Sequence, residues 1–436
     1  MERSTEREIR VYDGGVEALT DAITRGVGVR VWAEDGGGAG YAYGVDLAPA
    51  GIEALARAAL DAARVVDPDP HGRLPDELGA TPVAGLASPR LAAWSTDRKV
   101  ELALQVERAA RARAGITQVE DTVYADAETE VALANSRGFA GSFARTAAWV
   151  YASAFAGEGS ELMTGLGVGI ERDPDGLDPE RIGDEAASRA LALVGARQPG
   201  SRRCPVLLDT FVAAAVVGIV GGMLSGEAVQ RGRSPFADRE GTDVASSAIT
   251  LADDGTDPEG LASAPFDGEG SPRRRTALVE RGRLLTFLWD ARAARRAGRA
   301  STGSAGRGSY RTPPALGASN LVLETGHDDL DGLLARMGDG LYVTDVTGLH
   351  SGVNPVSGTF SVGATGLLVR DGELAEPVRE ITIAGDLLLM LSEAAAVGPR
   401  RAGCRSEAAC GRRPSCSGSW PYPAAERAGR RTETRK

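Results

Sequence analysis

Residues 211–236 read FVAAAVVGIVGGMLSGEAVQRGRSPF, and this stretch decides the architecture. A short apolar run, residues 205–208, precedes it, and Asp209 or Thr210 is placed to cap a helix. From Phe211 to Leu224 no side chain is charged or can donate a hydrogen bond. A helix apolar on every side is either buried or in lipid. A span of 211–224 falls short of the ~20 residues that a bilayer requires. The stretch therefore predicts a helix buried in the core of a soluble domain. Gly218, Gly221 and Gly222 each cost about 1 kcal/mol against Ala inside a helix. Their presence predicts that something packs closely there.

The segments after this helix form an ordered series. Arg233-Ser234-Pro235-Phe236-Ala237 is followed by Asp253-Asp254-Gly255 and Pro265-Phe266-Asp267-Gly268-Glu269-Gly270. Leu278-Val279-Glu280-Arg281-Gly282 and Ser301-Thr302-Gly303 come next. Val369-Arg370-Asp371-Gly372-Glu373 and Pro377-Val378-Arg379-Glu380-Ile381-Thr382-Ile383-Ala384-Gly385 close the series. In this order and spacing they resemble the TldD/PmbA (TldD/TldE) metallopeptidase family, over residues 26–398. Each motif alone is weak, and their register over most of the chain carries the likeness. The resemblance implies two kinds of subunit. The catalytic kind carries HExxxH on this same helix and a later cysteine, a zinc site with a carboxylate as base. Counted back without gaps from Phe236, the first His position falls on Val217, the Glu position on Gly218 and the second His position on Gly222. None of these side chains binds a metal or moves a proton. The chain is thus similar to the PmbA/TldE kind.

The length, 436 residues, suits two domains. A hydrophobic content of 42% is ample for real cores, and a net charge of −11 argues against a nucleic-acid footprint. The start, MERSTEREIR, is charged and lacks the apolar run of a signal peptide, and no segment reaches membrane-spanning length. Cys204 stands alone in the body of the chain, which suits a reducing compartment. These features predict a cytoplasmic protein without membrane or nucleic-acid partners.

Along the chain the patterns predict an α+β protein of two domains, with antiparallel sheets and packed helices. Residues 26–46 read as a β-hairpin turning at Asp35-Gly36-Gly37-Gly38, and residues 50–66 as an amphipathic helix. Residues 75–95 read as a crossover, and Asp97 as the cap of a helix over 98–114. Strands are expected over 116–124, 129–135, 139–155 and 162–171, an antiparallel meander, then a helix over 178–194. The polar stretch 198–203 marks a boundary, giving an N-terminal domain over 1–198 and a C-terminal domain over 199–398.

In the second domain the acidic cluster Asp253, Asp254, Asp257 and Glu259 reads as a solvated loop, since DDGTDPE departs from an EF-hand. Strands are expected over 276–280 and 284–289, and a short basic helix over 291–298. Residues 301–314, with Arg307 and Tyr310, read as a functional loop or a flexible connector. Further strands are expected over 320–324, 341–346, 360–370 and 378–384, with helices over 329–337 and 386–396. The loop 347–359 between strands is chemically diverse, with His350, Ser351, Asn354 and Ser357. These four residues, with Arg307 and Tyr310, are the candidates for contact with substrate or partner. No nucleophile elbow is present, and neither Ser351 beside His350 nor Cys204 reads as a nucleophile. Residues 399–436 are arginine-rich, carry Cys404, Cys410 and Cys416, and show no period of 2 or 3.6. This composition predicts disorder, and the abrupt change suggests a frameshifted reading.

The resemblance implies a subunit of a cytoplasmic zinc peptidase acting on unfolded peptides, including leader segments. A TldD-type partner would hold the zinc and the base, and this chain no cofactor. On that reading the chain is inactive without its partner. The alternative is a stand-alone peptide-binding or scaffold protein, as a homodimer for example.

Overall fold

The computed structural model describes residues 1–33 and 38–399. Its first element is a hairpin that hydrophobic alternation does not foretell. Glu2–Tyr12 (β1) pairs antiparallel with Gly15–Trp32 (β2) around Asp13 and Gly14, whose φ angles are 50° and 77°. An Asp-Gly pair with both φ positive is the turn that matches the twist of paired strands. Ala39–Gly44 (β3) pairs with β2 as the sequence predicts, while of the turn placed over residues 35–38 all but Gly38 lies outside the described residues.

Helices Pro49–Val65 (α1), Pro89–Ala93 (α2) and Thr96–Arg111 (α3) follow. The α3 cap is Ser95, whose hydroxyl accepts from the Arg98 amide; Asp97 sits in the first turn instead. Ile116–Ala134 (β4) is one continuous strand where two were expected. Ala140–Ala156 (β5) and Met163–Glu171 (β6) complete the meander, and Pro179–Ala192 (α4) follows. The sheet order is β3-β2-β1-β4-β5-β6, antiparallel throughout. Alternation sends Ile9, Val11, Tyr124, Ala148, Val150 and Ala152 to one face, where they bury against Leu102, Val106, Ile182 and Ala186 of α3 and α4. Arg145, of opposite parity on β5, belongs to the other face.

The second half opens with Val206–Leu208 (β7), Thr210–Met223 (α5) and Gly226–Gln230 (α6). Leu251–Asp254 (β8), Arg275–Glu280 (β9) and Arg283–Leu284 (β10) come next, then Ala291–Arg296 (α7). The second expected strand of this hairpin shrinks to two residues. Ala305–Gly306 (β11) pairs with Ala315–Leu316 (β12), so the loop between residues 301 and 314 is anchored at its base. Leu321–Leu323 (β13), Leu330–Met337 (α8), Gly340–Thr347 (β14) and Leu349–Gly352 (α9) lead to Thr359–Arg370 (β15), Glu373–Asp386 (β16) and Leu387–Ser392 (α10).

Two four-stranded sheets result, β16-β15-β14-β7 and β10-β9-β8-β13, with β7 parallel to β14. Helix α5 packs on β14 of one and β13 of the other. Asp253 is buried on β8, where its Oδ1 accepts from the Ser319 amide and hydroxyl; the solvated-loop expectation fails for this residue. The fold is α+β, as the patterns predict. The tail over 400–436, with its cysteines, lies outside the described residues.

Candidate functional site

Helix α5 starts where the sequence places it, and Asp209 is the cap. Its Oδ1 accepts from the Phe211 amide at 3.1 Å and from Arg189 Nη2 of α4 at 2.9 Å. Its Oδ2 accepts from the Tyr342 hydroxyl of β14 at 2.7 Å. Arg189 also donates through Nε to Glu185 Oε1 at 3.1 Å and lies over the Phe211 ring. A buried carboxylate thus fixes the start of α5 to both halves of the chain.

Burial along α5 corrects the sequence expectation. Val212, Ala214, Val220, Gly221 and Met223 are buried, but Val216, Val217, Gly218 and Ile219 are half-buried and Gly222 is exposed. An all-apolar helix does not reveal which of its sides is covered, and here two sheets leave one side open. The three glycines divide accordingly. A Cβ on Gly221 would meet Leu321 Cδ1 at 2.1 Å, so glycine there allows close approach. A Cβ on Gly218 or Gly222 would meet nothing within 4 Å. Close packing explains Gly221 and not the other two.

The loop carrying four of the candidate residues lies against the same helix. Val353 bridges Phe360, and both pack into the two apolar clusters to which α5 contributes Val212 and Val220. His350, Ser351, Asn354 and Ser357 are all exposed. Asn354 serves its own loop: Oδ1 accepts from the Val356 and Ser357 amides, and its amide donates to Thr359 O. The Ser357 hydroxyl pairs with that of Thr359 at 2.8 Å. The His350 imidazole makes no hydrogen bond among the described residues.

Arg307 and Tyr310 stand elsewhere, at the junction of the two halves. Tyr310 is buried under β2: a Cβ on Gly26 would strike its ring, and the Tyr41 hydroxyl donates to its carbonyl at 2.6 Å. Arg307 lines a cavity of ≈ 80 Å³ together with Arg145 and Arg273. Next to it Arg30 Nη1 donates to Glu269 Oε1 at 2.9 Å, and the Ala291 amide donates to Oε2 at 3.2 Å. Burial, then the nearby Asp267 and Asp290 carboxylates, push the Glu269 carboxyl up to about 7, against the pull of Arg30. This ionic junction escaped the sequence reading, although Asp267 and Glu269 lie inside one of the quoted motifs. A larger open cavity, ≈ 520 Å³, is lined by Glu280, Arg281, His327 and Asp328, away from both groups.

Comparison with known proteins agrees with this architecture over most of the chain. Three family models match: PmbA/TldA metallopeptidase domain 1 over residues 1–63, the central domain over 89–194 and the C-terminal domain over 201–415. The chain belongs to the PmbA/TldD metallopeptidase family. The last model runs on into the arginine-rich tail. The chain is 30% identical over 401 residues to metalloprotease PmbA of Escherichia coli O157:H7, covering 91% of this chain and 86% of that one. It is 32% identical over 362 residues to the PmbA homologue of Haemophilus influenzae, covering 82% and 78%. The crystal structure of TldE from Thermococcus kodakarensis superposes with a TM-score of 0.83 at 25% identity, covering 91% of this chain and 89% of that one.

The family's description as a metallopeptidase implies a metal, for which α5 would have to supply ligands. The side chains of Val217, Gly218 and Gly222 offer no nitrogen, sulfur or carboxylate, and a Cβ on Gly218 or Gly222 would meet no heavy atom within 4 Å among the described residues. Among the described residues no three His, Cys, Asp or Glu side chains converge as ligands. The side chains on this helix do not fit a zinc site.

Proposed function

We propose that this chain is the non-catalytic, PmbA/TldE-like subunit of a cytoplasmic peptidase complex that degrades or processes unfolded peptides. A TldD-type partner supplies the zinc, its ligands and the general base. This chain supplies part of the enclosing wall and of the peptide-binding surface. The observation that carries the reading is the open side of α5. It is apolar, it lacks every ligand a metal needs, and Gly218 and Gly222 leave space in front of it. Such a surface suits contact with a peptide or a partner better than catalysis. His350, Ser351, Asn354 and Ser357 add polar groups beside it, and Arg307 and Tyr310 contribute from the junction cavity.

Co-expression with a TldD-type subunit tests this. The expected result is co-purification at a fixed ratio, with zinc in the partner and peptide cleavage only by the pair. The isolated chain should hold no stoichiometric zinc. One tightly bound zinc per isolated chain, or cleavage by the chain alone, overturns the proposal.

A further inference from the structure

The junction cavity holds charges that the subunit reading does not explain. Its cationic wall is Arg145, Arg273 and Arg307, and its apolar wall includes Phe143 and Phe266, packed edge to face at 5.3 Å. The Arg145 guanidinium makes no hydrogen bond and no ion pair among the described residues. Arg273 is 8% exposed and makes one long hydrogen bond, from Nη2 to Ala305 O at 3.5 Å. Its Nε and Nη1 find no acceptor. Arg307 donates Nη2 to Gly268 O at 3.3 Å, and its Nε also finds no acceptor.

The carboxylates nearby are committed elsewhere. Asp267 accepts from the Glu269, Ser271 and Ala305 amides, and Asp253 from Ser319. Neither lies in ion-pair contact with Arg273. Glu2 lines the same cavity, and its charge acts on Arg145 without an ion-pair contact. Burial pulls the Arg145 pKa down, Glu2 opposes this, and Arg273 adds to it. Buried N–H groups without acceptors are heavily penalised, the more so when charged. Three neighbouring guanidinium groups, with unmatched donors on at least two, make a cationic pocket whose donors suit an anion. The fork of an arginine matches a planar carboxylate or a phosphate. The cavity is several times the ~10–15 Å³ that one water needs, so it has room for such a group.

We propose that Arg145, Arg273 and Arg307 form a binding site for a small oxyanion, a carboxylate or a phosphate, at the junction of the two halves. The site needs no partner subunit and is tested on the full chain alone. The melting temperature is followed during titration with inorganic phosphate, with N-acetyl-dialanine, and with the amide of that dipeptide. Sodium chloride holds the ionic strength constant. The expected result is a saturable rise of about 1–2 °C at ten times the fitted Kd. A response to phosphate identifies a free-phosphate site. A response to the dipeptide acid and not to its amide identifies a carboxylate site. Arg145→Gln should abolish the rise without lowering the ligand-free melting temperature, because it removes an unmatched cation. If Arg145→Gln fails to fold, Arg307→Gln is read for loss of the rise. Absence of a saturable rise with either anion means that the cavity holds water, and overturns the proposal. A rise that survives in both variants overturns it as well.

Discussion

Arg189 Nη2 donates to Asp209 Oδ1 across 2.9 Å, joining the last turn of α4 to the cap of α5. The same carboxylate accepts from the Phe211 amide and the Tyr342 hydroxyl, and it is only 5% exposed. One side chain therefore caps a helix, neutralises a nearly buried cation and fixes the angle of α5 over β14.

Asp209→Ala removes all three roles together. Breaking a buried pair by deleting one partner costs about 3 kcal/mol, and loss of a cap about 1 kcal/mol. Glu185 still accepts from Arg189, which keeps the total near the lower figure. Asp209→Asn retains an acceptor for the Phe211 amide and should lose about half as much. Urea unfolding of the two variants checks this. A loss under about 1 kcal/mol for Asp209→Ala, or equal losses for both, would falsify the shared role.

Glu269 makes stability fall with rising pH. Its carboxyl titrates at about 7 in the folded chain, against an ordinary value of 4.5. A folded pKa raised above the unfolded one gives stability that is complete below the unfolded value and is lost as pH rises through the folded value. The window is thus about pH 4.5 to 7, and the size is about 3 kcal/mol. Glu269→Gln should flatten this part of the curve. The amide has one acceptor for two donors, Arg30 and the Ala291 amide, so a constant offset is expected on top. The test is the difference between wild type and variant in urea unfolding at pH 5, 6, 7 and 8. Parallel curves would show that Glu269 does not titrate in this window.

The legible and illegible parts of the fold separate along physical lines. Strands β4, β5 and β6 show in the sequence because one face meets α3 and α4, leaving small apolar residues at every second position. The β1–β2 hairpin does not show. In ERSTEREIRVY only Ile9 and Val11 face the core, and the rest of the strand is held by backbone pairing to β4. Helix α5 was visible as a helix, but its open side was not, since coverage depends on sheets formed far away in sequence. Composition singles out the loop over 347–359 but not its place beside α5. Of the arginine cavity the sequence singles out Arg307 and Tyr310 but not Arg145, which looks like an ordinary outward residue on β5. Ala262, Phe266 and Arg273, distant in sequence, line the cavity around it, and the position ends half-buried.

The open side of α5 changes what substitutions there should do. Gly222→Ala, and Gly218→Ala with it, should stabilise the helix by up to about 1 kcal/mol each, since no neighbour obstructs a Cβ. Gly221→Ala should instead cost about 1–3 kcal/mol, because Leu321 must move. The triple change Val217→His, Gly218→Glu and Gly222→His follows the same logic. Two of its three sites have room, so the variant should fold with little change in melting temperature. It should still fail as a peptidase. Positions five apart on a regular helix lie roughly 140° around the axis from each other, which spreads the two imidazoles. A third ligand is also missing: Cys204 is the free cysteine among the described residues, and it packs near β14. Elemental analysis, melting curves and a peptide-cleavage assay on the isolated variant check all three points. A collapse in melting temperature would show that the side is covered in solution. Peptide cleavage by the zinc-loaded variant alone would show that this chain lacks only those three side chains to be a peptidase.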